Sequence, residues 1–99
     1  MKEIVIVSAC RTAIGAFGGT LKEMNGAAIA SVTMKEAIKR ADIAPDIIDD
    51  VRYGTCVEHH DTLNTTRVAA LMAGIPENVP AATVNRVCIS GMEAVLSGA

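Results

Sequence analysis

Three short runs rich in β-branched residues alternate with three helical patterns along this chain, and that alternation constrains the fold most. Ile4-Val5-Ile6-Val7 is an almost unbroken β-branched run, the pattern of a strand covered on both faces. Val51 to Val57 and Thr83 to Val87 read as a second and a third strand. Asn25 is placed to cap a helix from Gly26 to Ala41. On it Ala27, Ala30, Met34, Ala37, Ile38 and Ala41 share a face, and Lys35, Glu36, Lys39 and Arg40 crowd the other. Pro45 with Asp46, Asp49 and Asp50 marks a turn with room for one helical turn. A second helix is expected from Leu63 to Ala73, capped by Asp61 or Thr62 and stopped by Gly74 with Pro76 beyond it. The last helical pattern begins at Cys88 or one residue later. The resulting β-α-β-α-β-α order predicts an α/β fold with a parallel sheet and right-handed crossovers.

A chain of 99 residues suits one small domain. Tyr53 and Phe17 are its only aromatic residues, so its core must be built from Ala, Val, Ile and Met. Such a core is thin unless something larger packs against it, whereas small residues suit close approach inside a layered body. Met92, Val95 and Leu96 still lay down an apolar face as the chain reaches Ala99, with no stop signal. Residues 1–99 are therefore expected to be the first portion of a longer domain, with no second domain among them.

A net charge of −2 gives no electrostatic footprint for nucleic acid or for an anionic membrane. No run approaches the ~18 apolar residues of a membrane span, and Arg11 closes the first apolar run too early for a signal peptide. Cys10, Cys56 and Cys88 leave one thiol unpaired under any pairing and fit no zinc spacing, so no metal and a reducing, cytoplasmic setting are expected.

Chemistry concentrates in Val84-Asn85-Arg86-Val87-Cys88-Ile89-Ser90-Gly91-Met92-Glu93-Ala94-Val95. A β-type run delivers Cys88 to a small-residue corner where a helix starts. The free N–H groups and the positive dipole end of that helix would favour thiolate over thiol. Cys88 is thus the candidate nucleophile. Cys10 and Cys56, each at a strand end without a base, are expected to be small core residues. His59 and His60 lie in the polar loop Glu58 to Thr62, where histidines are ordinarily solvated. Gly15, Gly18 and Gly19 lack both dinucleotide spacing and a Lys-Ser/Thr ending, which argues against a phosphate loop.

Ile6-Val7-Ser8-Ala9-Cys10-Arg11-Thr12-Ala13-Ile14-Gly15-Ala16-Phe17-Gly18-Gly19 resembles the opening of thiolases, with their Arg-Thr-x-x-Gly-x-Phe/Tyr-Gly segment. Asn64-Thr65-Thr66-Arg67-Val68-Ala69 resembles the family's Asn-x-x-Arg-x-Ala, and Val84 to Val95 resembles the segment around its acyl-accepting cysteine. The three matches stand in family order and the similarity covers essentially the whole chain.

The resemblance implies the amino-terminal β-α-β-α-β-α part of the layered thiolase fold, with its third helix buried between two sheets. It also implies acetyl-CoA C-acetyltransferase chemistry. Cys88 would be acylated by a coenzyme A thioester, and the carbanion of a second acetyl-CoA would attack to give acetoacetyl-CoA, thiolysis being the reverse. The N–H of Cys88 would help hold the thioester oxyanion. No cofactor is implied beyond coenzyme A thioesters as substrates.

Thiolases draw a His, an Asn and a second Cys from their carboxy-terminal half, and Gly-His-Pro, Asn-Glu-Ala-Phe and Cys-x-Gly-Gly-Gly do not occur here. The implied partners are the remaining thiolase polypeptide and further copies in a dimer or tetramer; alone, the chain should be inactive. Arg11 and Arg67 are expected in structural ion pairs rather than on coenzyme A phosphates. Ile89 stands where the family more often has Gly, Ala or Ser. Two alternatives stay open: another condensing enzyme of the superfamily, of the ketoacyl synthase or 3-hydroxy-3-methylglutaryl synthase kind, and a non-catalytic structural or regulatory subunit. Acyl chain length and reaction direction are not encoded in these residues.

Overall fold

The computed structural model describes residues 2–99. Its elements are α1 (Gly26–Ala41), β1 (Val51–Gly54), α2 (Thr65–Met72), β2 (Ala81–Val84) and α3 (Ser90–Gly98), with 3₁₀ turns at Pro45–Ile47 and Val87–Ile89. β1 and β2 pair in parallel, Val51 opposite Ala81 and Gly54 opposite Val84. An α/β architecture with a parallel sheet is therefore present.

α1 matches the sequence reading at both ends. Asn25 accepts the Ala28 N–H at 2.9 Å, closing the amino terminus. Asp42, at φ 53°, takes the left-handed position after the last turn, and its N–H reaches the carbonyls of Ile38 and Lys39. The α1–α2 contact is built from small residues: Ala27, Ala30 and Met34 meet Ala69 and Ala70, with Ile75 and Val79 completing the cluster. Alanines on both faces let the two helices approach closely, as the composition suggested.

Several boundaries differ from the sequence reading; β1, for one, ends at Gly54 instead of Val57. Ile4 to Val7 has the pattern of a doubly covered strand, yet among the described residues nothing pairs with it, and Ile6 is 83% exposed. A strand exists only through a neighbour's ladder, and this run has none among the described residues; the residues just after it lie against α1. There Ser8 donates to Ala37 O at 2.8 Å and the Cys10 thiol donates to Thr33 O at 3.2 Å. β2 lies two residues earlier than expected: the Val51 N–H bonds Pro80 O at 3.0 Å and starts the ladder there, recruiting two alanines of poor strand propensity. The cap of α2 is Asn64 rather than Asp61 or Thr62; its side chain accepts the Arg67 N–H at 3.2 Å.

α3 packs against β1 through its buried Ser90 and Ala94. Met92, Val95 and Leu96 are exposed, so the burial between two sheets implied by the resemblance is not provided within residues 2–99.

Candidate active site

All three helices begin at the carboxyl end of the two-stranded sheet, and Cys88 sits there, in the turn between β2 and α3. α3 starts at Ser90, so Cys88 lies inside the preceding 3₁₀ turn rather than at the first helical position. Asn85 explains the delay. Its Oδ1 accepts the Val87 N–H at 2.9 Å, a local side-chain turn that ends the strand geometry before the helix can begin.

Ser90 holds the other side of the turn. Its hydroxyl accepts the Arg86 N–H at 2.8 Å and donates to Val87 O at 2.6 Å. Ser90 is 3% exposed, and both hydrogen-bonding roles of its hydroxyl are filled. Between these two clamps Val87 adopts φ 52°, a left-handed conformation that is an outlier for a β-branched residue.

The Cys88 thiol is exposed, not sealed in the interior. The N–H groups of Arg86 and Val87 bond Ser90 Oγ and Asn85 Oδ1, and those of Ile89 and Ser90 bond Arg86 O and Val87 O. Among the described residues no acceptor engages the Cys88 N–H. The turn therefore presents a sulfur and an uncommitted donor from the same residue. Arg86 extends outward to Glu93 at 2.8 Å, the charged rim of this corner.

Gly54 makes the corner possible. A Cβ there would stand 2.5 Å from both the carbonyl carbon and the oxygen of Ser90, and 2.6 Å from Gly91 N. Only glycine lets the end of β1 lie directly against the start of α3. A glycine inside a strand run was the available signal for this contact.

The remaining candidates lie apart from the sulfur. Cys56 is exposed beyond the end of β1, which corrects the expectation of a core residue: it falls in a bend, outside the packed layer. Cys10 is half-buried against α1. His60 is exposed, as a solvated loop histidine should be. His59 lays its imidazole over Gly26, where a Cβ would come within 2.6 Å of Nε2. Neither histidine hydrogen-bonds Cys88 among the described residues.

Arg67 forms a fork on backbone oxygens, Nη1 to Val79 O at 2.9 Å and Nη2 to Glu77 O at 2.8 Å. It is structural, as expected, but through carbonyls instead of an ion pair. Arg11 is exposed and lines a cleft of about 610 Å³ with Cys10, Leu21, Met24, Ile29 and Val32. A second cleft, of about 200 Å³, is lined by Thr65, Thr66, Thr83 and His59. Cys88 lines neither.

The site is thus a parallel α/β unit with an exposed cysteine in the turn entering a helix, its own N–H uncommitted. Comparison with known proteins narrows the class. The family profile described as thiolase, N-terminal domain, matches residues 4–99. An acetyl-CoA acetyltransferase of Clostridioides difficile is 47% identical over 92 residues, covering 93% of this chain and 86% of that one. Another, of Syntrophomonas wolfei, is 46% identical over 94 residues, covering 95% of this chain and 24% of that one. The crystal structure of the Bacillus anthracis acetyl-CoA acetyltransferase superposes with a TM-score of 0.90 at 42% identity, over 95% of this chain and 24% of that one. The chain belongs to the thiolase family. It spans about a quarter of the length of the Syntrophomonas wolfei relative.

Proposed function

We propose that this segment carries the nucleophile of an acetyl-CoA acetyltransferase, that the nucleophile is Cys88, and that residues 1–99 are the amino-terminal portion of that enzyme's first domain. The observation that carries the reading is the Val87–Ile89 turn, where an exposed thiol stands beside its own unengaged N–H. The acetyl-CoA acetyltransferases similar to this chain along nearly its whole length support the substrate class.

In the first half-reaction the deprotonated sulfur adds to the thioester carbonyl of acetyl-CoA. The Cys88 N–H donates to the oxygen as it becomes an oxyanion; collapse breaks the carbon–sulfur bond to coenzyme A, which leaves as a thiolate and is protonated. In the second, a base removes the α-proton of another acetyl-CoA. The resulting carbanion attacks the acetyl-Cys88 carbonyl, a carbon–carbon bond forms, and the bond to Cys88 breaks to release acetoacetyl-CoA. Thiolysis runs the same steps backward.

Within residues 2–99 no side chain hydrogen-bonds the Cys88 sulfur; by the resemblance to thiolases, the base, a water-positioning Asn and a second Cys would come from the remaining polypeptide. The same polypeptide, in an oligomer, would cover Met92, Val95 and Leu96. Among the described residues no helix is long and apolar enough to cross a membrane, and three free thiols suit a reducing, cytoplasmic setting.

The test is mass spectrometry of the intact protein carrying this segment after incubation with acetyl-CoA. An acetyl group is expected on Cys88 and none on a Cys88→Ala variant. Full turnover without an adduct at Cys88 would remove the assignment.

A further inference from the structure

We propose that Asn85 and Ser90 are positioning residues which, by holding Val87 in a left-handed conformation, turn the Cys88 N–H outward to meet the acyl oxygen. The proposal rests on the reading of Cys88 as the nucleophile and adds what aims its donor. The peptide joining Val87 to Cys88 is a rigid trans plane, so the Val87 carbonyl and the Cys88 N–H point in opposite directions. Anchoring the one therefore aims the other. Ser90 anchors the carbonyl twice, by its hydroxyl at 2.6 Å and by its own N–H.

Rotating that plane into place requires φ 52° at Val87, which a β-branched side chain resists. Asn85 Oδ1 opposes the resistance by capturing the Val87 N–H at 2.9 Å. Asn85 is tethered in turn, its Nδ2 3.4 Å from Glu58 Oε1 on the loop after β1. Val87 is 63% exposed, so packing does not hold it there. Strain in a solvent-facing residue beside a nucleophile, sustained by hydrogen bonds from two side chains and not by packing, is the mark of a functional geometry rather than of a core requirement.

The experiment compares two rates at Cys88 in the intact protein: acetylation by acetyl-CoA, which needs the oriented N–H, and alkylation by iodoacetamide, which does not. Asn85→Ala should slow acetylation by about ten-fold or more while alkylation stays within about two-fold, since small misplacements of a catalytic group have effects of that size. Adding Val87→Gly, which adopts the left-handed region freely, should bring acetylation back to within about three-fold of the parent. Asn85→Ser, able to form the equivalent hydroxyl turn, should also stay within about three-fold and serves if the alanine variant does not fold. An Asn85→Ala variant as fast as the parent, or a double variant as slow as the single one, overturns the proposal. A parent that is alkylated but never acetylated at Cys88 overturns the nucleophile reading itself, and this proposal with it.

Discussion

Gly54 and Ser90 meet backbone to backbone: the last residue of β1 lies so close to the first residue of α3 that a methyl group cannot be placed between them. The contact sets the height of α3 over the sheet, and with it the position of the turn that carries Cys88. Ser90 is thus fixed from below by Gly54 while its hydroxyl fixes the turn above.

Gly54→Ala should therefore displace the start of α3 instead of being absorbed, because the obstructing atoms are backbone. Overpacking of this kind costs about 1–3 kcal/mol. The expected result is a lower urea midpoint for the intact protein, together with slower acetylation of Cys88. Unchanged stability would mean that β1 and α3 stand further apart than described.

Thr83 ties β2 to the start of α2. Its Oγ1 lies 2.6 Å from Asn64 Oδ1 and 2.9 Å from Thr66 Oγ1, and accepts the Thr66 N–H at 3.1 Å. One hydroxyl carries one proton, for which Asn64 Oδ1 and Thr66 Oγ1 compete as acceptors, and the shorter contact is the one to Asn64. Thr66 is 1% exposed, so its groups cannot turn to water. Thr83→Val, nearly equal in volume, should destabilise by about 1–3 kcal/mol through the orphaned partners, and Thr83→Ser by much less. Equilibrium unfolding of the two variants side by side provides the check.

The Glu36 carboxyl is held below its ordinary pKa, first by its hydrogen bond from Arg40 Nε at 2.7 Å and then by the charges of Arg40 and Lys39, with desolvation opposing. A carboxylate with a depressed folded-state pKa stabilises above its unfolded value and loses that contribution as pH falls through the folded one. Glu36→Gln should therefore lower stability slightly at neutral pH, make little difference once pH lies below the folded-state pKa, and so flatten the acid side of the stability profile. The pair is exposed, so added salt should shrink the difference. A larger effect at acid than at neutral pH would contradict the sign.

Periodicity identified all three helices because each buries one face, and α1 and α2 are capped locally by Asn25 and Asn64. Strands were less legible. The β-branched run Ile4 to Val7 stays unpaired among the described residues because pairing depends on a neighbour, while Ala81 and Ala82 pair despite poor propensity because Pro80 and Val51 set the register. Cys88 stood out by its position between a strand and a helix. What aims it did not: Asn85 and Ser90 act through contacts two and three residues away in the turn, and Gly54 acts across 36 residues of sequence. Asn64 was visible as a motif residue, but its reach to Ala81 O at 3.0 Å appears only when α2 lies on β2.

Met92, Val95 and Leu96 occupy one side of α3 at helical spacing, opposite the buried Ser90 and Ala94, and Leu96 is 64% exposed. A face of this kind makes Leu96→Glu discriminating. In the 99-residue chain the substitution removes no packing, so its stability should change by less than about 0.5 kcal/mol, the usual limit for surface sites. Binding of a hydrophobic dye and self-association should both fall, because the apolar stripe is interrupted by a charge. In the intact protein the same carboxylate would be buried by the remaining polypeptide, and the unfolding midpoint should drop sharply. Equal effects in the two settings would show that the face stays in water throughout, and that α3 is not an inner layer of the complete fold.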